Sequence, residues 1–538
     1  MNLTSHLVQR LLKLPPPLTR DLIVERDLEV PMPDGVVLLA DRWAPRAGGD
    51  RLPTALLRSP YGRRGLNGVM WARPLAERGY QVLIQSTRGG FGSGGTFDPL
   101  RHERADGLAT LDWVIKQPWF GDSIVLVGTS YLGYTQWAVA DAVPPQVKAM
   151  IPHLSESATT LGFLAKDAFS LETPFFWGVL VANMEQPGGF AFQWLKQARK
   201  TRRALLTLPL GGADVAALGH RSDYIQAMLT RDNDDPYWAA ADHRDRVAAV
   251  TVPVSSIGGW YDLFLPGQLR DFRVLQQAGR PARLTIGPWP HSQPTNTAIL
   301  EALEFGLTCA RGELQERAPV RLYVMGAETW RDFDAWPPSG YALQRFHLHP
   351  RGVLSIEPPP HSEPDHYRFD PSDPTPAVGG ARLRAGGRVD NRALEARRDV
   401  ITYTTGALGK DVEVIGDVSA QIWFRSSLRY ADVFVRLCDV DTRGRSWNIC
   451  DGLLTLSCAD ETSCATVALW PTAHRFKRGH RIRVQVSSGA FPRYARNIGT
   501  GEPHATAITL EAADQSVYHD PERPSAVILP IRQSGKQT

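Results

Sequence analysis

Apolar positions along roughly the first 150 residues keep two rhythms. Short, β-branched runs at Leu22 to Val30, Val36 to Trp43, Thr54 to Arg58, Tyr80 to Gln85 and Ser123 to Val127 predict strands. The first two flank the turn Pro33-Asp34-Gly35 and read as an antiparallel pair. Between the later runs the spacing predicts helices near Asn67 to Arg78 and Asp106 to Lys116. Strand and helix in alternation predict an open, mostly parallel sheet with helices on both faces.

From about residue 150 to 245 the strand rhythm fades, and aromatic-rich helical stretches such as Phe169 to Val181 and Ala191 to Thr201 replace it. This reads as a helical insertion, placed where it can act as a lid. Strand signals return at Val250 to Ile257, Ala282 to Ile286 and Val320 to Met325, with a helix at Leu263 to Leu275. Beyond about 345 the texture changes to short alternating runs cut by Gly, Pro and Asp: Asp399 to Tyr403, Val412 to Phe424, Asp432 to Asp439, Thr466 to Trp470 and Arg481 to Ser487. Strands at this spacing predict a β sandwich. The expected organisation is 1–148 and 243–345 as an α/β core, 149–242 as an insertion, and 346–538 as a β domain.

Composition narrows the classes. The 538 residues are 43% hydrophobic and 22% charged, enough for two or three ordinary cores. A net charge of +4 without a Lys/Arg block gives nucleic-acid binding no electrostatic support. No apolar run is long enough to span a bilayer. The segment Met1 to His6 lacks a positive region, and Leu11 to Leu14 is too short for a signal core before Pro15-Pro16-Pro17, so a cytoplasmic location is expected. The odd set Cys309, Cys438, Cys450, Cys458 and Cys464 fits a reducing compartment and reads as buried thiols of a β domain. No cysteine or histidine spacing suggests zinc, and neither metal nor organic cofactor is expected.

Chemistry concentrates at Gly128-Thr129-Ser130-Tyr131-Leu132-Gly133. A buried strand precedes it and a helix, Tyr134 to Ala140, follows, the context in which a G-x-S element forms a nucleophile elbow. Ser130 then sits at the tip, with the Tyr131 N–H at a helix N-terminus, able to bind an oxyanion. A serine nucleophile needs a base and an acid to orient it. Strand Val250 to Ile257 runs through Gly258-Gly259-Trp260-Tyr261 to Asp262, and strand Ala282 to Ile286 through Gly287-Pro288-Trp289-Pro290 to His291. The order Ser130, Asp262, His291 is that of α/β-hydrolases. Asp262 could instead cap the next helix, on whose surface Asp271 is expected. A rival motif, Gly90-Phe91-Gly92-Ser93-Gly94-Gly95, satisfies G-x-G-x-x-G, but Pro99 follows where a dinucleotide site opens a helix, so it reads as a turn.

Arg58-Ser59-Pro60-Tyr61-Gly62, the elbow through Trp137, Gly259-Trp260-Tyr261-Asp262 and Gly287-Pro288-Trp289-Pro290-His291-Ser292 resemble the signatures of the CocE/NonD hydrolases. X-prolyl dipeptidyl-peptidases and α-amino-acid ester hydrolases are related to these. The likeness extends into Gly379-Gly380-Ala381-Arg382-Leu383, Asp390-Asn391-Arg392 and Val435 to Val440. It implies an α/β-hydrolase core, a helical cap inserted after the elbow helix and a C-terminal jelly roll buttressing the site. It also implies that the Tyr61 hydroxyl joins the Tyr131 N–H in the oxyanion hole.

The expected partner is a small-molecule ester or amide, with no nucleic acid and no membrane; oligomeric state is not legible. Cap aromatics Phe163, Phe169, Phe175, Phe176, Trp177, Phe190 and Trp194, with Phe264 beside Asp262, suit an apolar acyl pocket, for which Phe264, Phe176 and Trp177 are the candidates. An apolar or aromatic ester is thus the expected substrate. An α-amino ester or peptide needs carboxylates for its ammonium, and Asp232, Asp234 and Asp235 are available, in what reads as an exposed loop. Amidase, acylase or pathway acyl-transfer chemistry on the same three residues is the alternative, and a non-enzymatic binding protein the contrasting class.

Overall fold

The computed structural model describes residues 3–48, 51–158, 163, 168–186, 189–293, 296–313 and 316–533. Ten strands make the first sheet: β1 (Leu22–Pro31), β2 (Val37–Pro45), β3 (Thr54–Ser59), β4 (Gln81–Ser86), β5 (Ile124–Thr129), β6 (Val147–His153), β7 (Val254–Tyr261), β8 (Ala282–Pro290), β9 (Val320–Val324) and β10 (Thr329–Phe333). Their order is β1-β2-β4-β3-β5-β6-β7-β8-β9-β10. From β4 to β9 neighbours are parallel; β1, β2 and β10 are antiparallel additions at the edges.

Both faces of this sheet are covered, which is why β3 and β4 are buried throughout and show no polar alternation. Along β5, Val125 and Val127 join one hydrophobic cluster while Ile124 and Leu126 join another, the two-residue period of a strand packed on both sides. Helix Glu103–Ile115 covers the second face. The helix expected at 67–78 opens instead as a wide π turn, Gly68–Ala72, before Arg73–Ala76. Pro74 has no N–H to give the preceding turn, and the wider turn sits just ahead of it.

The strand expected at 250–257 is displaced to 254–261. Pro253 cannot donate to a ladder, so pairing starts after it. Gly258 and Gly259 read as loop but continue the strand, opposite Ile286 and Gly287 of β8. A Cβ on Gly259 would lie 2.2 Å from the Trp289 carbonyl oxygen, and one on Gly258 would lie 2.2 Å from Gln268 Oε1. Close strand approach demands glycine at 259, and the packing of Gln268 from the following helix leaves no room for a side chain at 258.

The C-terminal region, Tyr341 to Arg532, is built of twelve strands joined in one network, with only the short helical turns Pro350–Gly352 and Arg392–Glu395 besides. Its longest pair, Val412–Ser426 with Ser463–Phe476, is antiparallel, and the first alternates buried and partly exposed positions over most of its length. This domain is not a separate body. One hydrophobic cluster contains Trp260, Leu269, Phe272 and Ile286 of the core together with Val414, Ile422, Val467 and Val484. Met325 N–H donates to Ala473 O at 2.9 Å, and Arg475 N–H to Met325 O at 2.7 Å. The insertion is tied down similarly: Leu171 N–H donates to Arg493 O at 2.8 Å, and Arg382 forks onto Glu172, both contacts at 2.7 Å.

All five cysteines are free. Contrary to the expectation of buried thiols in a β domain, Cys458 and Cys464 are exposed, flanking the turn between two strands, and Cys309 lies in a helix of the core.

Candidate active site

Ser130 holds φ 59° and ψ −121°, outside the regions a side chain ordinarily occupies. Glycines permit the turn. A Cβ on Gly128 would sit 2.4 Å from Leu132 Cβ, and one on Gly133 2.5 Å from Ser155 Cβ. The second glycine, one position later than in the usual elbow, leaves the room that Ser155, after β6, takes up. The helix Tyr131–Trp137 starts directly after the serine, three residues earlier than the apolar pattern suggests, with Ser130 O accepting from Gly133 and Tyr134 N–H. Tyr131 N–H is among the first-turn amides that a helix leaves without an internal acceptor.

β7 ends at Tyr261 and β8 at Pro290, so Asp262 and His291 follow directly on neighbouring strands. His291 Nε2 lies 3.0 Å from Ser130 Oγ, and His291 Nδ1 2.5 Å from Asp262 Oδ1. Asp262 is fully buried, and its Oδ2 accepts from Phe264 N–H at 3.1 Å. The imidazole-orienting role is the one the geometry supports: helix Leu265–Gln277 has Phe264 at its N-cap and no side-chain cap, and Asp262 Oδ2 only fixes the turn that leads into it. The Phe264 ring meets the imidazole edge-on at 5.3 Å.

Tyr61 follows β3 and reaches the same point. Trp177 Nε1 donates to its hydroxyl at 2.9 Å, and that hydroxyl also hydrogen-bonds with Ser130. With the indole occupying a lone pair, the phenolic hydrogen is left for the serine side. Burial pushes the Tyr61 phenol up to about 12, against both hydrogen bonds, so it remains a donor at any working pH. Tyr131 is anchored at its far end: its hydroxyl donates to Glu103 at 2.8 Å and accepts from Leu100 N–H at 2.8 Å, and Arg58 pairs with Glu103 at 2.9 Å. Trp177 stacks on the Tyr131 ring at 5.8 Å and 14°. Beneath the elbow, His153 O accepts from Ser130 N–H at 2.8 Å. Burial, with His291 nearby, holds the His153 imidazole down at about 3, which keeps it neutral.

A cavity of about 50 Å3 opens over Ser130, walled by Tyr61, Tyr131, Trp177, Phe264, Leu383 and His291 among others. Phe176 is not part of that wall. It is buried in the cap, edge-on to Trp194 at 4.8 Å and under Arg384. Thr173, Pro174 and Trp177 share the inner face of helix Glu172–Val181, and Phe176, about 100° further round than Trp177, turns into the cap instead. The side chain of Phe190 lies outside the described residues. Leu383 and Tyr224 escaped sequence reasoning. Leu383 closes the Gly379-to-Leu383 motif, a signal present in the sequence without a role to attach to it.

One other expectation is corrected, and the exposed reading of the acidic loop at 232–235 holds. Asp271 is buried rather than superficial, accepting from Ser157 N–H at 2.7 Å and Ser157 hydroxyl at 2.8 Å. It shares its helix face with Gly267 and Leu275, at four-residue spacing. Asp232 and Asp234 are exposed, and Asp235 caps a short turn and pairs with Arg231; none of the three lines the cavity. The glycine-rich segment after β4 is a turn, as read: Ser93 hydroxyl donates to Ser86 O and accepts from Leu39 N–H, both at 2.9 Å.

Residues 34–293 match the X-Pro dipeptidyl-peptidase (S15 family), and 313–528 match the X-Pro dipeptidyl-peptidase C-terminal non-catalytic domain. The chain is 32% identical to the cocaine esterase of Rhodococcus sp. (strain MB1 Bresler), over 94% of its own length and 98% of that protein. Among solved structures, an α-amino acid ester hydrolase superposes with a TM-score of 0.80 at 22% identity, covering 96% of this chain and 97% of the other. An aminopeptidase from a marine-sediment Thaumarchaeota archaeon also gives 0.80, at 23% identity and coverage of 95% and 97%. A CocE/NonD family hydrolase from Staphylococcus aureus gives 0.69 at 18%, covering 95% and 94%. Likeness of this extent and identity leaves one placement: the chain belongs to the CocE/NonD serine ester hydrolases, within the broader X-Pro dipeptidyl-peptidase S15 family.

Proposed function

We propose that this hydrolase cleaves carboxylic esters with a neutral, apolar or aromatic acyl group, through an acyl-enzyme on Ser130. One observation carries the reading: an unbroken hydrogen-bonded line from Asp262 through His291 to Ser130 Oγ, ending where the Tyr61 hydroxyl also reaches. His291 Nε2 takes the serine proton as Oγ attacks the carbonyl carbon, while Asp262 holds the other ring nitrogen and steadies the imidazolium. The Tyr61 hydroxyl and Tyr131 N–H receive the developing oxyanion, each donor worth about 3 kcal/mol in the transition state. His291 then protonates the departing alkoxide, and water, deprotonated by the same ring, frees the acid.

Aromatic and aliphatic walls at Phe264, Trp177 and Leu383 support the apolar acyl preference. A carboxylate that could hold an α-ammonium group is lacking among the described residues of that wall, which weighs against the amino-ester and aminopeptidase chemistry named for two structural relatives. The β domain is read as a jelly roll that backs the site through Leu383. Five free thiols support a reducing, cytoplasmic setting. Among the described residues no helix is long and apolar enough to cross a membrane.

Intact mass after exposure to a fluorophosphonate, with turnover of p-nitrophenyl acetate, butyrate and benzoate, tests the proposal. A single adduct on wild type that is absent from Ser130→Ala, together with ester turnover lost in that variant, is the expected result. Unchanged turnover in Ser130→Ala would remove the nucleophile assignment.

A further inference from the structure

Beyond Phe163, Thr173 and Leu263, beside the apolar cavity, lies a larger chamber of about 400 Å3. These three residues line both spaces and form the boundary that a long acyl arm would cross. The chamber is walled by all three regions: Arg270 from the core, Glu156 just after β6, Ser170 from the cap, Trp470 and Arg493 from the β domain. We propose that it is a second substrate subsite, taking a carboxylate carried at the far end of the acyl arm. The inference rests on the ester-hydrolase reading of Ser130 and extends it to the substrate's distal group.

Arg493 is the built part of this subsite. It is 3% exposed, bonded to Asp451 through Nη1, and its guanidinium lies over the rings of Trp470 and Tyr494, 4.9 and 4.8 Å from their centroids. Its Nη2 is itself buried behind the chamber surface and has no hydrogen-bond acceptor among the described residues. A guanidinium held in this way offers a fixed donor of the kind that pairs with carboxylate oxygens. Asp451 does not neutralise it alone, because the same carboxylate accepts from Arg436 Nη2 at 2.8 Å. Two cations therefore share one anion, and a positive charge is left over at the β-domain wall.

The core wall does not cancel that surplus. Arg270 is paired with Asp271 at 2.8 Å. Glu156, 3.6 Å from Arg270, is 4% exposed, and burial pushes its carboxyl up to about 8. At neutral pH it is an uncharged acid, able to donate to an incoming carboxylate rather than repel it. Donors and leftover positive charge disfavour an ammonium group here and favour an anion. The apolar throat formed by Phe163 and Leu263 selects a hydrocarbon arm between that anion and the scissile carbonyl.

The test compares p-nitrophenyl monoesters of linear dicarboxylic acids, glutaric through sebacic, with the same compounds capped as methyl esters. Wild type, Arg493→Met and Ala468→Trp are assayed; Ala468 lines the chamber and takes part in no ion pair. We expect wild type to favour the free carboxylate of the longer arms about tenfold or more in kcat/KM. Both variants lose that preference and keep p-nitrophenyl acetate turnover. A wild type that hydrolyses the acetate but prefers the capped arms, or a preference that survives both variants, overturns the subsite alone. Wild type without acetate turnover overturns the hydrolase reading instead. Calorimetric titration of Ser130→Ala with sebacic acid monoanilide then decides the subsite separately: binding lost on adding Ala468→Trp upholds it, and equal binding overturns it.

Discussion

Trp177 braces both halves of the proposed oxyanion hole, through its N–H on Tyr61 and its ring on Tyr131. Replacing it with phenylalanine keeps the ring and deletes the donor, so the Tyr61 hydrogen is free to turn away from Ser130. We predict that Trp177→Phe lowers kcat on p-nitrophenyl acetate about tenfold with KM nearly unchanged, the loss of one neutral hydrogen bond of about 1.4 kcal/mol. Tyr61→Phe should cost about a hundredfold or more. In the double variant the two losses should not add, since the deleted indole N–H acts only through the phenol while the ring on Tyr131 is kept; full additivity in this cycle would refute the coupling. Ser130, Asp262 and His291 were legible as individuals because each follows a strand signal. The Trp177 contact was not, because it depends on which face of a helix turns inward, and two neighbouring aromatics offer that face equal apolarity.

At the level of elements, the elbow shows how a strand, a turn and a helix are fitted by a residue outside all three. Ser155 stands where a side chain at position 133 would go. Gly133→Ala is therefore expected to cut soluble yield and fluorophosphonate labelling sharply, and Ser155→Gly added to it should recover most of both. Absence of recovery would mean that the glycine is needed for the helix start rather than for clearance. The parallel sheet was readable from runs of apolar residues, since burial on both faces leaves no polar alternation to confuse them. The extent of β7 was not: its glycines carry a loop signature in isolation and become strand only when β8 lies against them. The face of helix Leu265–Gln277 escaped for a related reason, because Asp271 looks solvent-bound until Ser157 is brought to it.

For the whole molecule, a shared core and shared main-chain hydrogen bonds make the β domain part of the catalytic body. A protein ending at residue 345 would expose Trp260, Leu269 and Phe272 on the face that the β domain covers. It is predicted to be insoluble, or soluble without fluorophosphonate labelling; a soluble, fully active fragment would show the domains to be independent. The texture change near 345 announced a second domain, yet composition carries no record of which surface it covers.

Leu383 gives that union a consequence in time. The proposed nucleophile, base and acid all lie before residue 300, but one part of the cavity wall, Leu383, lies more than 90 residues after His291. During synthesis the chemistry is encoded first and its discrimination later, so a nascent chain has no finished pocket until the β domain has emerged and docked.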